Sequence, residues 1–222
     1  MPWVALLMPF QLLKGWEDLV QRVALPTRGG GADMARRIAF PAPFRGLVPD
    51  VFRSPDLEIP SVFTARGRWR SGALHTFCDD YRQEFFWRRP EEGLLVALAA
   101  GNVVAPDFTV WTDDPQEWAS YQVWRSALVA SYWQAHGVDV LPVVTFAGQP
   151  GRFVRHGSAW AVRGPTVADD TFMASIRAWA EECRPGLLVV FGRPIPDFGV
   201  PMVKRALFAG MCLSAAQKEG GQ

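Results

Sequence analysis

The sequence is poor in the residues that build metal sites and disulfide frameworks. Its 222 residues include three cysteines and three histidines. These six residues are widely scattered and form no CxxC pair: Cys78, Cys183, Cys212, His75, His136 and His156. The spacing argues against a zinc site made from them. Scattered thiols are typical of a reducing compartment, so we predict a cytoplasmic protein with its cysteines in the core.

Net charge and long apolar runs are also lacking. The formal net charge is +1, which gives no broad attraction to nucleic acid or to an anionic membrane. No continuous apolar run reaches the roughly 18–20 residues that a membrane span needs. Residues 1–10 are apolar, but they lack the leading basic residue and the small-residue cleavage site of a signal peptide. We therefore expect neither a membrane partner nor a signal peptide.

What the sequence does contain is material for a core. Apolar residues make up 49% of the chain and aromatic residues 13%, which excludes global disorder. The length fits one domain of ordinary size with an appended segment. We predict an irregular, partly helical N-terminal extension over residues 1–60 packed on the core, an α/β domain over residues 61–216 and a disordered tail over residues 217–222.

From residue 61 onward, short apolar runs alternate with helical stretches. Strands are predicted over residues 61–64, 74–78, 102–105, 138–146, 160–163 and 187–191. Helices are predicted over residues 91–100, 115–136, 169–184 and 201–216. Such alternation is typical of an α/β fold with a mostly parallel sheet flanked by helices. The pattern leaves open whether the sheet is an open layer or resembles a partial barrel.

Polar side chains follow the predicted strands where each one ends. Because ligands of parallel α/β sheets bind beyond the carboxyl ends of the strands, these side chains are the candidate site. We predict Asp80 and Asp107 as catalytic candidates, and Asp79, Thr145 and Arg193 as substrate-binding candidates. Two neighbouring carboxylates can hold a divalent cation such as Mg²⁺, or they can divide into a general acid and a general base. The alternative is structural, with the aspartates capping loops or pairing with arginines.

Arg125 falls inside the apolar face of the long predicted helix over residues 115–136. A guanidinium turned toward a packed sheet is costly without a carboxylate partner. We therefore predict a buried pair between Arg125 and one of three carboxylates, Asp79, Asp80 or Asp107, and we count Arg125 among the catalytic candidates. The alternatives are a purely structural pair, or an Arg125 side chain that extends along the helix edge to solvent.

A second candidate surface lies in a short basic stretch. Basic groups alternate there with a glycine and a tryptophan, and the candidates are Arg66, Arg68, Trp69 and Arg70. Such a composition suits single-stranded nucleic acid, because aromatic rings stack on bases and arginines bind phosphates. It suits a hairpin or loop beside a strand equally well, and a loop is the more common use of such a stretch.

Residues 59–191 resemble a family of uncharacterised proteins met in phages and integrated mobile elements, the domain of unknown function DUF4417. The matching motifs are HTFCDDYRQE at 75–84, PDFTVW at 106–111, WRSA at 124–127, YWQAHGV at 132–138, VLPVVTF at 140–146 and LVVFG at 188–192. The sequence departs from the family at Gln83, where an apolar residue is usual, and at Thr109, where serine is usual. The resemblance implies a phage or mobile-element origin and brings no established activity.

Three functions remain open at this point. The first is metal-dependent chemistry on a phosphate-containing substrate at the carboxyl ends of the strands. The second is a non-catalytic binding protein for nucleic acid or a host factor. The third is a former enzyme fold that serves as a scaffold, with Asp80 and Arg125 locked in a structural pair. Whether the protein is an enzyme is left open by the sequence.

Overall fold

The computed structural model describes residues 41–65, 69, 71–111, 113–146, 150–165 and 170–205. Backbone contacts divide the chain into two units, Met1–Ala39 and Phe40–Gln222. All the described residues belong to the second unit. Most of the predicted N-terminal extension and the whole predicted tail lie outside the described residues.

The described part of the chain contains seven strands and four α-helices. The strands are β1 (Thr64–Ala65), β2 (Leu74–His75), β3 (Asn102–Val104), β4 (Asp139–Leu141), β5 (Ala159–Arg163), β6 (Leu187–Phe191) and β7 (Met202–Arg205). The helices are α1 (Asp80–Arg88), α2 (Pro90–Ala100), α3 (Gln116–Ala135) and α4 (Asp170–Cys183). Two short 3-10 helices, Ala42–Phe44 and Pro150–Arg152, lie outside this alternation.

The strands pair in parallel, in the orders β1-β2-β3-β4 and β5-β6-β7. A parallel bridge between Val143 and Ala161 connects the two groups just beyond β4. There the Val144 amide donates to the Ala161 carbonyl at 2.8 Å, and the Ala161 amide donates to the Pro142 carbonyl at 2.8 Å. The prediction of a parallel α/β fold flanked by helices is confirmed.

The sheet curves so that side chains from its two halves meet on one inner face. The Phe191 ring of β6 lies 5.1 Å from the Phe77 ring and 5.2 Å from the Phe63 ring, centroid to centroid. The edges are also joined, because the Arg205 guanidinium of β7 donates to the Pro60 carbonyl at 2.6 Å and to the Ile59 carbonyl at 2.8 Å. Of the two sheet forms considered from the sequence, the structure has the one that resembles a partial barrel. Its inner core consists of Phe63, Phe77, Val104, Leu141, Val143, Ala159, Ala161, Leu187, Val189 and Phe191.

The helices cover the outer face through large aromatic contacts. The Phe86 ring of α1 meets the Trp133 ring of α3 edge to face at 4.9 Å. The Trp160 ring of β5 meets the Trp179 ring of α4 in the same way at 5.0 Å. Such pairs add about 0.5–1.5 kcal/mol each beyond the area they bury. Aromatic contacts therefore join the helices to one another and to the sheet.

Two predictions of local structure were wrong. The predicted helix over residues 201–216 begins instead as strand β7, in which Val203 pairs with Val189 of β6. Residues 206–216 lie outside the described residues. Helix α1 was not predicted, because its sequence was interpreted as the polar end of a strand. Both errors concern segments whose structure is set by tertiary contacts, and short apolar runs do not distinguish helix from strand.

The amino ends of the strands are closed by a buried charge. Arg53 is fully buried and forms an ion pair with Asp139, the first residue of β4. It also donates to the Asn102 side chain at 3.3 Å and to the Glu58 carbonyl at 2.9 Å. Because Asn102 begins β3, the guanidinium ties two strand starts to the segment that precedes the sheet. Burial lowers the pKa of Arg53, and the carboxylate of Asp139 opposes that shift.

Candidate functional site

The segment after β3 is held by buried polar side chains from three directions. Four of its carbonyls accept a hydrogen bond each: Ala105 from Thr76, Pro106 from Ser126 at 2.6 Å, Asp107 from Gln83 at 2.7 Å and Thr109 from Gln122 at 3.3 Å. All four donors are buried. An unpaired buried polar group costs about 1–3 kcal/mol, so these hydrogen bonds restrict the loop to few backbone conformations. The backbone that carries Asp107 is therefore fixed.

Asp80 lies beside this segment. It is the first residue of α1, and its Oδ1 accepts hydrogen bonds from the Thr109 hydroxyl at 2.8 Å and from the Thr109 amide at 3.3 Å. Carboxylates at the start of a helix are favoured by its dipole. The bond joins the residues after β2 to those after β3. Two of the predicted catalytic candidates, Asp80 and Asp107, are thus brought to one end of the sheet.

The carboxyl group of Asp107 is electrostatically strained. Its pKa is raised from the ordinary 3.8 to about 6, first by burial and then by the negative charge of Asp80, while Arg163 acts in the opposite direction. The Asp107 side chain therefore lies within electrostatic reach of both Asp80 and Arg163. A carboxyl group with a pKa close to neutral can exchange a proton under physiological conditions.

Arg163 also lies at the carboxyl ends of the strands, which we call the rim, and it was not among the predicted site residues. It is the last residue of β5 and pairs in register with Phe191, a residue of the inner core. Residues of one strand alternate between the two faces, and Ala159 and Ala161 are also inner residues, so Arg163 belongs to the inner face. This alternation along β5 is the signal that could have identified it.

The backbones after β5 and β6 run close together next to Arg163. The Gly164 amide donates to the Phe191 carbonyl at 2.8 Å. A Cβ atom at Gly164 would lie 1.9 Å from the Arg193 carbonyl oxygen, so no larger residue fits without moving a strand end. Gly164 therefore allows the two backbone segments that carry Arg163 and Arg193 to lie close together on the rim.

The predicted substrate-binding residues all follow strands, but they differ in exposure. Asp79 is exposed, and its Oδ2 lies 3.7 Å from the Arg82 Nε. Thr145 is half-buried and follows Val143 and the β4–β5 bridge, whereas Arg193 is exposed and follows β6. Their positions in the chain put Thr145 and Arg193 at the carboxyl ends of their strands.

Arg125 is buried, as predicted, but its partner was not among the three predicted aspartates. Only 1% of its surface is exposed, and its Nη2 donates to Glu84 Oε1 of α1 at 2.8 Å. Its guanidinium carbon lies 3.6 Å from the centroid of the Phe108 ring and 5.4 Å from that of the Trp87 ring. Glu84 was overlooked because α1 was not predicted. The pair lies beneath the rim, where a guanidinium cannot touch a ligand in solvent.

The predicted nucleic-acid stretch is described only in part. Trp69 is half-buried, and its indole nitrogen donates to the Gly72 carbonyl at 2.7 Å. Arg66, Arg68 and Arg70 lie outside the described residues. Their predicted role in binding nucleic acid stays a prediction.

The rim contains two neighbouring carboxylates, Asp80 and Asp107, that could bind a metal ion. Within the residues that the structure describes, no group of three or more His, Cys, Asp and Glu side chains is arranged to hold a metal ion. The pair Asp80 and Asp107 fits a different type of site, in which Mg²⁺ is held by one or two carboxylates and by phosphate oxygens of the substrate. A protein-only cation cage does not fit the described residues.

A wide cleft lies at the opposite end of the sheet. It has a volume of about 540 Å³ and is lined by Leu57, Glu58, Pro60, Ser61, Val62, Asn102 and Asp139. One of its two acidic residues, Asp139, already pairs with Arg53. A second, largely apolar cavity of about 20 Å³ lies between α3 and the sheet and has Thr145 at its border. Neither contains Asp80 or Asp107.

Comparison with known proteins agrees with the resemblance seen in the motifs. The domain of unknown function DUF4417 matches residues 61–203. The chain belongs to this family. It is 31% identical over 188 residues to the Gene 1 protein of Mycobacterium phage D29, a match that covers 76% of the chain and 69% of that protein. It is 32% identical over 145 residues to the Gene 1 protein of Mycobacterium phage L5, with 60% and 63% covered. No solved structure matches significantly.

These comparisons confirm the predicted family and its phage relatives. The DUF4417 match contains every strand from β1 to β6 and the first half of β7, together with Asp80, Asp107 and Arg163. Among the helices of the described region, none is long and apolar enough to cross a lipid bilayer. The two departures noted in the motifs both touch the rim, since Gln83 holds the Asp107 carbonyl and Thr109 holds Asp80.

Proposed function

We propose that the carboxyl ends of the strands form a site for a phosphate-containing ligand, with Asp80 and Asp107 sharing a divalent cation. The observation that carries the proposal is the state of Asp107. Its backbone is fixed by buried hydrogen bonds, and its carboxyl group is placed next to a second carboxylate where its pKa is raised to about 6. A fixed, strained carboxyl group is more typical of a functional site than of a loop cap.

The cost of this arrangement favours a cation as the partner. Burial and the neighbouring Asp80 carboxylate disfavour the ionised form of Asp107. A divalent cation between the two carboxylates would replace repulsion by attraction, and it would lower the pKa of Asp107. Mg²⁺ suits this geometry, because it needs few protein ligands and completes its shell with water and phosphate oxygens.

The basic residues across the rim support a phosphate as the ligand. Arg163 belongs to the inner face at the end of β5, and Arg193 follows β6. A bound cation would neutralise phosphate oxygens from one side, and Arg163 with Arg193 would do so from the other. Thr145 and Asp79 complete the proposed ligand-binding set. Asp107, with a pKa near neutral, supplies a group that can accept or donate a proton at the ligand.

In this proposal Arg125 is a positioning residue. Its guanidinium packs on Phe108, the residue between Asp107 and Thr109, and it is anchored by Glu84. Phe108 therefore has a flat, charged surface beneath it that fixes the loop on which the carboxylate sits. The predicted link between Arg125 and the aspartates is then indirect and runs through packing.

The second candidate function, a binding protein for nucleic acid or a host factor, is favoured by exposed aromatic side chains at the same rim. Tyr81 adjoins Asp80, and Trp111 lies two residues beyond Thr109. Exposed aromatic rings can stack on the bases of nucleic acid. Both candidate functions use the rim as the binding surface.

The proposal is tested by isothermal titration of the full chain with Mg²⁺ and Mn²⁺. We expect binding to the parent protein and a loss of at least about ten-fold in affinity for Asp80→Asn and Asp107→Asn. The exposed Asp56, which lies outside the rim, provides the matched control Asp56→Asn, for which the affinity should not change. No binding to the parent, or equal binding to the parent and Asp107→Asn, would overturn the proposal.

A carboxyl titration by NMR provides an independent measurement. Asp107 is expected to titrate near pH 6 in the absence of divalent cations. Saturating Mg²⁺ should lower that pKa, since the cation favours the ionised carboxylate. An Asp107 that titrates near 6 both with and without the cation would show that it is not a ligand.

A further inference from the structure

Three large aromatic side chains at the carboxyl ends of the strands are exposed. They are Tyr81, Trp111 and Phe146, with exposed fractions of 66%, 64% and 44%. Each adjoins a residue of the proposed site: Tyr81 follows Asp80, Trp111 lies two residues after Thr109, and Phe146 follows Thr145. We call these three residues the rim aromatics. Single exposed apolar residues are ordinary, but three on successive strand ends around one site point to a ligand.

Neighbouring groups restrict the positions of the rim aromatics. The Trp111 amide donates to Asp114 Oδ2 at 2.7 Å, and the Asp114 amide returns a bond to the Trp111 carbonyl at 3.1 Å, which closes a turn before α3. The Phe146 ring meets the Phe172 ring edge to face at 5.6 Å. The Arg82 guanidinium lies 5.0 Å from the centroid of the Tyr81 ring. Platforms held in this way lose little conformational entropy when a flat group stacks on them.

Charge is distributed unevenly around the same rim. The side formed after β2 and β3 carries Asp80 and Asp107, and the side formed after β5 carries the exposed Arg163. Tyr81 and Trp111 follow β2 and β3 on the acidic side, and Phe146 follows β4, which lies between β3 and β5. A ligand that fits this arrangement presents flat, hydrogen-bonding rings to the acidic side and a negative group to the basic side. A nucleotide unit has both, in its base and its phosphate.

We propose that the rim binds a short stretch of single-stranded nucleic acid, with bases stacked on the rim aromatics and a phosphate facing Arg163. This inference rests on the proposed function and names its ligand class. Because the three rings follow three different strands, we expect them to stack on successive bases of a strand and not on one free nucleotide. The net charge of +1 means that stacking, rather than long-range attraction, supplies most of the affinity.

The first test needs no variant. Fluorescence anisotropy measures the binding of an end-labelled, single-stranded DNA of about ten nucleotides to the full chain at low salt, beside an abasic strand of equal length and charge. The base-bearing strand is expected to bind, and the abasic strand is expected to bind at least about five-fold more weakly, in line with stacking energies. Equal binding of the two strands, or no binding of either, would overturn the inference.

Variants locate the contact. Trp111→Ala and Phe146→Ala should each weaken binding of the base-bearing strand by about 5- to 150-fold, because each removes a stacking surface. The matched control is Leu95→Ala on α2, which removes an equally exposed apolar side chain away from the rim and should leave affinity unchanged. Thermal unfolding curves check that each variant is folded. Unchanged affinity in both aromatic variants would overturn the placement.

Salt and competition separate a strand from its alternatives. Arg163→Gln should reduce the slope of log affinity against log salt by about 0.7, the value for one lost phosphate contact on a single strand. A mononucleotide at equal nucleotide concentration should compete at least ten-fold more weakly than the strand, and equal competition would overturn the strand in favour of a free nucleotide. If oligonucleotide binding fails while the titration with Mn²⁺ succeeds, only the ligand class is wrong and the cation site stands.

Discussion

The two ends of the sheet handle buried charge in opposite ways. At the amino ends, Arg53 is matched by the Asp139 carboxylate and by two further oxygen acceptors. At the carboxyl ends, two carboxylates lie close enough for Asp80 to raise the pKa of Asp107, and the Arg163 charge offsets that effect only in part. The buried charge at the amino end is paired within the described residues, whereas at the carboxyl end Asp107 lies beside a second carboxylate, and a ligand could neutralise the pair.

The two ends differ in how their charges affect the stability of the fold. A matched buried charge closes the sheet and holds the preceding segment in place, which is a structural task. Two like charges held close together lower stability unless something binds there, and functional sites commonly carry such a cost. Parallel sheets as a class place their ligands at the carboxyl ends, and the electrostatics of this protein agree with that rule.

The largest expected effect comes from the support beneath the carboxyl end. Arg125→Met should lower the free energy of unfolding by about 3–5 kcal/mol, because the buried Glu84 carboxylate loses the guanidinium that pairs with it at 2.8 Å. Chemical denaturation at pH 7 measures the loss. Adding Glu84→Gln to the variant should restore part of it, since no charge then stays buried. A loss below about 1 kcal/mol would show that the pair is not essential to the core.

The corresponding change at the amino end should cost less. Arg53→Met leaves Asp139 without its partner, but the Asp139 side chain is 31% exposed and can be hydrated. We expect a loss of about 2–3 kcal/mol in denaturation, and an unchanged affinity for Mn²⁺ in isothermal titration. A change in cation affinity would mean that the two ends are coupled, and the contrast between them would lose its force.

Asp107→Asn should stabilise the protein at neutral pH. The pKa of Asp107 is about 6 in the folded chain against an ordinary 3.8, so the folded state binds the proton more tightly than the unfolded state. The contribution of Asp107 to stability therefore falls as pH rises from about 4 to about 6 and stays reduced above that range. The gain in Asp107→Asn should reach up to about 3 kcal/mol at pH 7 and vanish near pH 4. Denaturation at the two pH values checks both the size and the sign.

The smallest expected effect is at Thr109, and it uses a matched pair of variants. Thr109→Val removes the hydroxyl that donates to Asp80 and should cost about 1 kcal/mol. Thr109→Ser keeps the hydroxyl, as the usual residue of the family does, and should cost less. Thr109→Val should also weaken Mn²⁺ binding more than Thr109→Ser, because Asp80 is less well oriented. Equal behaviour of the two variants would show that the hydroxyl does not position the carboxylate.

Much of the fold was accessible from the sequence because it rests on strong periodic patterns. Strand β6 was predicted at its exact bounds, since Leu187–Phe191 is a continuous apolar run between a helix end and a glycine. Helix α3 was predicted within one residue at each end, because its length leaves little ambiguity. Helix α1 and strand β7 were missed. Each is short, and each is settled by what it packs against rather than by its own composition.

The site residues divide in the same way, into those that the sequence could predict and those that depend on tertiary contacts. Topology placed Asp80 and Asp107 at one end of the sheet, because parallel strands share their carboxyl ends. The partner of Arg125 could not be foreseen, since Glu84 enters the core only once α1 turns back toward α3. Arg163 was visible in the alternation along β5 but carried no motif. Its charge lowers the pKa of Asp107, although the two residues are far apart in the sequence.

By itself, the sequence determined the fold class, the order of most elements, the family and the strand ends at which acidic side chains collect, because these depend on local periodicity and chain connectivity. Tertiary structure alone decided that the sheet curves into a partial barrel, that Glu84 neutralises Arg125, and that the pKa of Asp107 is raised by burial and a neighbouring carboxylate. Those outcomes depend on distances between residues remote in the chain, and electrostatic and packing energies depend on such distances.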